Sequence, residues 1–260
     1  MKNNNKFRLD VWGAITLGTI ALYALFLLYP MAYLIRQSVL DPDTGGFTLA
    51  YFTKFFSKSY YFDTLINSFK VSITATVLSI AIGTPLAYLF TIFKIKGKSV
   101  LNILIVVASM SAPFIGAYSW ILLLGRSGVI TAFFKNLGIA IPDIYGFGGI
   151  VLVMTLQLFP LVFLYAKGAL KNIDNSLIEA AENLGCSGIA CFFKVVVPLI
   201  MPTLLAAALL VFMRSFADFG TPMLIGEGYR TFPVVLYTEF INEVGGSDGF
   251  AAAIAVIAIV

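Results

Sequence analysis

Five stretches of the sequence carry no charged residue over a length sufficient to cross a lipid bilayer. They are 19 to 27 residues long and occupy residues 11–35, 71–93, 99–125, 144–166 and 195–213. A spanning helix needs about 20 mostly apolar residues, because each residue adds about 1.5 Å along the axis. Inside a bilayer the backbone groups must bond to each other, which favours helices. The chain is therefore predicted to be an all-α, polytopic bundle of membrane helices.

A sixth apolar stretch begins near the end of the sequence, at residues 249–260. Twelve residues reach only about 18 Å, less than the roughly 30 Å of a hydrocarbon core. We therefore expect an incomplete sixth span, and a chain that is a fragment or the first half of a longer protein. The predicted single transmembrane domain, 1–260, has spans at about 11–36, 66–93, 99–124, 147–167, 196–217 and 249–260.

The composition agrees with a membrane protein, and the placement of Lys and Arg along the chain accounts for the net charge of +4. Hydrophobic residues make up 60% of the chain and charged residues 12%, against about 45–50% and 25% in soluble domains. With the N-terminus inside, nine Lys and Arg fall in about 45 inner residues and six in about 80 outer ones. This bias predicts a cytoplasmic N-terminus, and it gives no reason to expect a nucleic-acid partner.

Catalytic, metal and cofactor sites are not predicted. The chain has no histidine, and its two cysteines, Cys186 and Cys191, fall in a segment predicted to be cytosolic. A structural zinc site needs four ligands of the Cys and His type, so none is expected. The segment "KGKS" at 96–99 resembles a phosphate loop, but Ile92 stands where that motif requires a glycine.

One polar segment, "DNSLIEAAENLG" at 174–185, interrupts the apolar sequence between the fourth and fifth spans. Ser176 precedes Glu179 by three residues, which is the spacing of a capping box. Gly185 follows where a helix C-terminus favours glycine. The pattern predicts a short helix at 177–184 within a cytosolic loop, 168–195. Two turns need a packing partner, either another protein or, alternatively, the lipid headgroups.

The same segment resembles the EAA loop of binding-protein-dependent ABC importer permeases of type I. That loop reads EAA, three residues, Gly, nine residues, I-x-L-P. Here Glu179, Ala180 and Ala181 are followed by Gly185 at the matching distance, and Val195-x-Val197-Pro198 closes the motif with valine at both aliphatic positions. The resemblance extends over the whole chain, because five spans and the start of a sixth fit a six-helix half-permease.

The resemblance implies a coupling helix that docks on a separate ATPase subunit. It also implies two such ATPases, an extracytoplasmic binding protein, a second permease half that is fused or separate, and a location in the bacterial inner membrane. ATP hydrolysis would take place on the partner chain, so the chain itself would not be an enzyme. The residues to which the resemblance gives the coupling role are Ser176, Glu179, Ala180, Ala181, Gly185 and Pro198.

Three further segments resemble the ferric-iron branch of these permeases. They are "GFTLAYFTKFF" at 46–56, "WILLLGRSGVI" at 120–130 and "RSFADFGTPMLIG" at 214–226. Ferric iron is therefore the favoured cargo, with 2-aminoethylphosphonate, polyamines and thiamine as alternatives within the same class of importer. An ATP-independent channel or secondary carrier is the alternative from another class, and it would need no coupling helix.

Polar and helix-breaking residues within the spans are candidates for a translocation path. Proline and glycine interrupt helices, and interrupted helices often line transporter pathways, although they also occur as simple packing kinks. Arg214 and Asp218, four residues apart, predict either an ion pair along the helix or a lining of the outer gate. The candidate path residues are Ser109, Ser111, Pro113, Gly116, Gln157, Arg214 and Asp218.

Overall fold

The computed structural model describes residues 11–41, 45–93, 96–110, 112–139, 142–186, 188–241 and 248–259, and these residues are almost entirely helical. Five helical stretches in them are long and apolar enough to cross a membrane. The described helices, in chain order, are α1 (Val11–Ser38), α2 (Ala50–Ser57), α3 (Ser59–Ile92), α4 (Lys98–Ser109), α5 (Pro113–Leu124), α6 (Val129–Asn136), α7 (Phe147–Lys171), α8 (Asn175–Asn183), α9 (Gly188–Ala217), α10 (Gly220–Ile225), α11 (Phe232–Ile241) and α12 (Asp248–Ile259).

The stretch predicted as one span, 99–124, is two helices, α4 and α5. Pro113 begins α5, and Ala112 before it is extended, with φ −68° and ψ 142°. Proline is favoured in the first turn of a helix and pushes the preceding residue out of the helical region. The predicted span 99–124 therefore contains two helices, and the break lies next to Pro113. Ser111 lies outside the described residues.

Two of the long helices contain a short π-helical segment just before a proline. These segments are Ala24–Leu28 in α1, followed by Pro30, and Phe192–Val196 in α9, followed by Pro198. In each case the residue before the proline donates its N–H to the carbonyl five residues back. Proline lacks an N–H and crowds the preceding turn, so the wider turn is a local accommodation. Pro198 thus lies inside a continuous helix.

The helices form two units, of which the first combines residues 1–62 with 236–260. In it, α12 packs on α2 and on the second half of α1. Gly249 makes this approach possible, because a Cβ there would lie 2.6 Å from the Tyr51 ring. The neighbouring Phe250 ring is fully buried, 5.0 Å from the Tyr61 ring centroid and 4.1 Å from the Lys54 ammonium.

The second unit, residues 63–235, is built around α7. The second half of α7 packs on α3 and α9 through an apolar cluster that includes Phe90, Phe163 and Val196. Its first half packs on α3 and α5 through another apolar cluster. At Gly83 a Cβ would lie 2.9 Å from the Phe159 carbonyl oxygen. The absence of a side chain therefore lets α3 and α7 approach closely, as small residues do in membrane bundles.

Candidate functional site

The short helix α8 lies between the ends of α7 and α9 and is capped at both ends. At its start the Oδ1 of Asp174 accepts a hydrogen bond of 3.0 Å from the Ser176 amide. At its end Gly185 has φ +86°, and the Cys186 amide donates to the Ala181 carbonyl at 3.0 Å. This is a glycine-terminated helix end of the kind that the sequence indicated. The cap residue predicted at the other end is wrong, because Asp174, and not Ser176, holds that position.

The Asp174 carboxylate lies in water. The hydrogen bonds from Ser176, chiefly that of its backbone amide, lower the pKa of this carboxyl below its ordinary value. An ionised carboxylate is also the form that a helix N-terminus stabilises, since the first amides carry a partial positive charge. The start of α8 is therefore fixed by a charged group at neutral pH.

One side of α8 packs on the bundle and another side is exposed. Ile178 packs against the apolar cluster formed by α3, α7 and α9. Leu177 is 49% exposed and Leu184 is 88% exposed, and Ala180 between them is also exposed. We call these three residues the α8 stripe. Leu177 and Ala180 lie three residues apart on one face of α8, and Leu184 directly follows the last residue of the helix. Glu179 is also exposed.

A cavity of about 520 Å³ lies between α4, α5, α7, α9 and the start of α10. Five of the seven candidate path residues line it, from segments far apart in the chain. The described lining residues are Ser109, Pro113, Phe114, Gln157, Leu158, Arg214, Ala217, Asp218, Phe219 and Gly220. Gly116 is buried and is not among them. Gln157 is about 15 Å along α7 from its first residue, so the cavity reaches well into the bundle.

Both oxygens of the Asp218 carboxylate accept hydrogen bonds from residues at the start of α10. Its Oδ1 accepts from the amides of Gly220 at 2.9 Å and Thr221 at 3.4 Å, and its Oδ2 accepts from the Thr221 hydroxyl at 2.7 Å. Burial raises the pKa of the Asp218 carboxyl above its ordinary value, against the opposing effect of these hydrogen bonds. Asp218 thus directly follows the last residue of α9, and its side chain binds the first amides of α10.

The ion pair predicted between Arg214 and Asp218 is not formed. Ion pairs that are formed within the described part of the chain include those of Arg126 with Asp143 and with Glu227. Asp218 has extended backbone geometry, with ψ 120°, so it no longer lies one turn above Arg214 on a helix. Arg214 is exposed, and its guanidinium has no hydrogen-bond or ion-pair partner among the described residues.

Two other polar groups of the cavity differ in their hydrogen bonds. The buried Nε2 of Gln157 has no hydrogen-bond partner in the described residues. The Ser109 hydroxyl, by contrast, donates to the Val106 carbonyl at 2.6 Å in its own helix. The cavity wall also contains Phe114 and Phe219, whose rings meet edge to face at 5.1 Å. Sequence reasoning missed this aromatic pair, because it joins residues a hundred positions apart.

Comparison with known proteins gives the family. The family model described as the inner membrane component of binding-protein-dependent transport systems matches residues 80–260, more than half of the chain. The chain belongs to this family. The resemblance to binding-protein-dependent permeases is thus confirmed, and the chain, called the permease below, belongs to a family of inner-membrane components and contains several helices able to cross a membrane.

The relatives of the permease include two cargo classes. It is 28% identical, over 95% of its length, to the ferric transport system permease protein FbpB of Actinobacillus pleuropneumoniae, of which it covers 35%. It is also 28% identical, over 96% of its length, to the spermidine/putrescine transport system permease protein PotB of Haemophilus influenzae, of which it covers 89%. The permease spans about a third of the length of the ferric relatives that it matches.

The fold is shared with solved structures of importers. A chain of a bacterial alginate ABC transporter, crystallised in complex with an alginate pentasaccharide-bound periplasmic protein, superposes with a TM-score of 0.77. The two chains are 16% identical, and the match covers 95% of the permease and 88% of the other chain. At this identity the match supports the all-α membrane fold alone.

Proposed function

We propose that the permease is the translocation subunit of an ATP-driven importer, and that α8 is its coupling helix. In this proposal the α8 stripe and Glu179 dock on an ATPase subunit. A second permease half, two ATPases and an extracytoplasmic binding protein complete the system. The proposal also places the N-terminus and α8 on the cytoplasmic side, where ATP is available.

The observation that carries this proposal is the exposed face of a capped and anchored helix. Leu184, 88% exposed, would be costly to keep in water without a partner, since burying a leucine side chain contributes about 1.5–3 kcal/mol. Because Ile178 anchors the opposite side on the bundle, a force on α8 is transmitted rather than absorbed by bending of a loop. A docking role uses both properties.

The position of α8 in the chain supports transmission of that force to the cavity. It begins four residues after the last residue of α7 and ends five residues before the first residue of α9. These two helices carry Gln157 and Arg214, which line the cavity. Movement of α8 by a nucleotide-driven ATPase would therefore move both walls of the proposed translocation path.

Ferric iron is our proposed cargo. Its support is the likeness of the permease to ferric transport permeases at 28% identity over 95% of the chain. The polyamine relative is equally identical, so the alternative cargo is tested alongside. Among the described residues no group of three or more His, Cys, Asp or Glu side chains could hold a metal ion. Iron would thus be selected by the binding protein.

The coupling role is tested by reversing the charge of Glu179. Glu179→Lys, in the permease assembled with its ATPase and binding protein in vesicles, should lower ATP-dependent uptake at least about tenfold, as a lost interface anchor does. Lys135→Glu is the matched control, because it reverses an exposed charge on the short helix α6. Normal uptake and normal cargo-stimulated ATPase activity in Glu179→Lys would overturn the assignment of α8.

A further inference from the structure

Among the described residues, the cavity has two charged lining residues of opposite sign, and they differ in whether they are free to bind a ligand. Arg214 and Asp218 are the charged groups among its described lining residues. The Asp218 oxygens already accept three hydrogen bonds from the start of α10. The Arg214 guanidinium, with five N–H donors in a planar fork, bonds to none of the described residues. A ligand in the cavity thus meets a free cation and a carboxylate that is already in use.

A second free donor lies in the same cavity. The buried Nε2 of Gln157 is without a partner in the described part of the chain, and leaving such a group unpaired costs stability. The Ser109 proton is already given to the Val106 carbonyl. The cavity therefore offers unused donors from two helices, α7 and α9, and few unused acceptors. This donor excess fits a ligand rich in acceptor oxygens.

The apolar part of the wall strengthens this preference. Phe114, Phe219 and Leu158 line the cavity around the polar groups. Charge interactions are stronger where apolar walls exclude water. A volume of about 520 Å³ also suits a small organic anion or a chelate, since small-molecule sites usually measure about 300–1,000 Å³.

We propose that this cavity is an oxyanion subsite of the translocation path, in which Arg214 and Gln157 bind carboxylate, phosphate or phosphonate oxygens of the cargo. The inference rests on the proposed transport function and narrows its cargo class. Arginine binds such oxygens in pairs through its planar fork, which lysine cannot reproduce. Ferric iron would then cross as an anionic chelate, and a free polyamine would be disfavoured, because Arg214 repels it without an unused carboxylate to compensate.

Binding is tested first in the assembled permease in detergent. Citrate, inorganic phosphate, 2-aminoethylphosphonate and spermidine are the probes, and the shift of the thermal unfolding midpoint is the readout. The anions should raise the midpoint of the wild type and of Arg36→Gln, a control at an exposed arginine of α1. They should not raise that of Arg214→Gln or Gln157→Leu. Equal shifts in all variants, or a shift with spermidine alone, would overturn the subsite.

Transport is tested next in vesicles that contain the ATPase and the binding protein. Arg214→Gln should lower the uptake of the anionic cargo about tenfold, as loss of a hydrogen bond to a charged group does, and Arg214→Lys should fall between it and the wild type. Ferric citrate and 2-aminoethylphosphonate separate the two sources of the oxyanion. ATP-dependent uptake of spermidine but of neither anionic cargo by the wild type would refute the inference while the importer assignment stands. Absence of ATP-dependent uptake of every cargo by the wild type would instead refute the proposed function.

Discussion

Two short helices of the permease each have an aspartate near their first turn, yet the two aspartates lie in opposite surroundings. Asp174 accepts a hydrogen bond from the amide two residues later at the start of α8, and Asp218 does so at the start of α10. The distances are 3.0 and 2.9 Å. At the start of α8, Asp174 and Ser176 are exposed, whereas most of α10 is buried beside the cavity.

The difference between the two aspartates shows how burial changes the pKa of a carboxyl that accepts helix amides. The pKa of Asp174 is lowered because its hydrogen bonds stabilise the carboxylate in water. The pKa of Asp218 is raised, since burial penalises its charge more than the hydrogen bonds repay. An aspartate that accepts the amide two residues later near the start of a helix thus favours ionisation in one region and opposes it in the other.

The largest expected difference between the regions is in chemical access. With Cys186→Ser and Cys191→Ala as background, Ser176→Cys on the exposed helix should react fully with a thiol reagent in detergent, and the buried Thr221→Cys should remain unreacted.

The side of the membrane on which α8 lies is measured in intact cells with Ser176→Cys and a further variant, Ser57→Cys, in the same cysteine-free background. An impermeant reagent should modify Ser57→Cys, on the predicted outer side, and leave Ser176→Cys untouched until the cells are opened. The reverse order would contradict a cytoplasmic α8, and rapid reaction of Thr221→Cys would contradict the contrast in burial.

A smaller difference is expected in stability. Asp218→Ala removes an acceptor of three hydrogen bonds from a site that burial partly shields from solvent, so it should lower the free energy of unfolding by about 2 kcal/mol. Asp174→Ala, the matched control, exposes an amide that water can reach, and its loss should be smaller. Thermal unfolding of both variants in detergent measures the difference. Equal losses, or a greater loss for Asp174→Ala, would show that the two caps do not differ as the structure indicates.

The smallest expected effect is an opposite dependence of the two caps on pH. Because the pKa of Asp218 is higher in the folded protein than its ordinary value of 3.8, ionisation of this carboxyl destabilises the fold. The wild type should therefore lose stability relative to Asp218→Asn as the pH rises from 3.8 through the raised pKa. The Asp174 cap contributes fully above 3.8, and relative to Asp174→Asn the wild type should lose stability as pH falls below it. Unfolding midpoints of the three proteins between acidic and neutral pH measure both slopes. Slopes of the same sign would contradict the comparison.

Local sequence determined the helices and the ends that depend on neighbours in the chain. Long uncharged runs led to membrane-spanning helices, because backbone groups in lipid must pair within the segment. Gly185 was identified as the end of α8 from the residues around it, and it adopts φ +86° there. Pro113 begins α5 for the same kind of reason, since proline acts on its own φ and on the preceding residue.

The sequence alone did not determine which of two nearby residues takes a given role. Ser176 and Asp174 are both good cap residues, and a shift of two positions decides which of them accepts the first amide. In the same way, four residues of spacing suggested an ion pair between Arg214 and Asp218. That pair requires α9 to continue, and the helix ends at Ala217 instead. The Asp218 carboxylate then accepts hydrogen bonds from the start of α10 and not from Arg214.

Only the tertiary structure decided what lines the cavity. Ser109, Gln157 and Arg214 are separated by about fifty residues each, and packing of α4 and α9 against α7 brings them together. It also put Phe114 against Phe219 and left the Arg214 guanidinium without a partner. Sequence patterns report which residues share a helix face, whereas contacts between faces depend on how side chains from several helices fill a common volume. The burial that separates the pKa of Asp218 from that of Asp174 has the same origin.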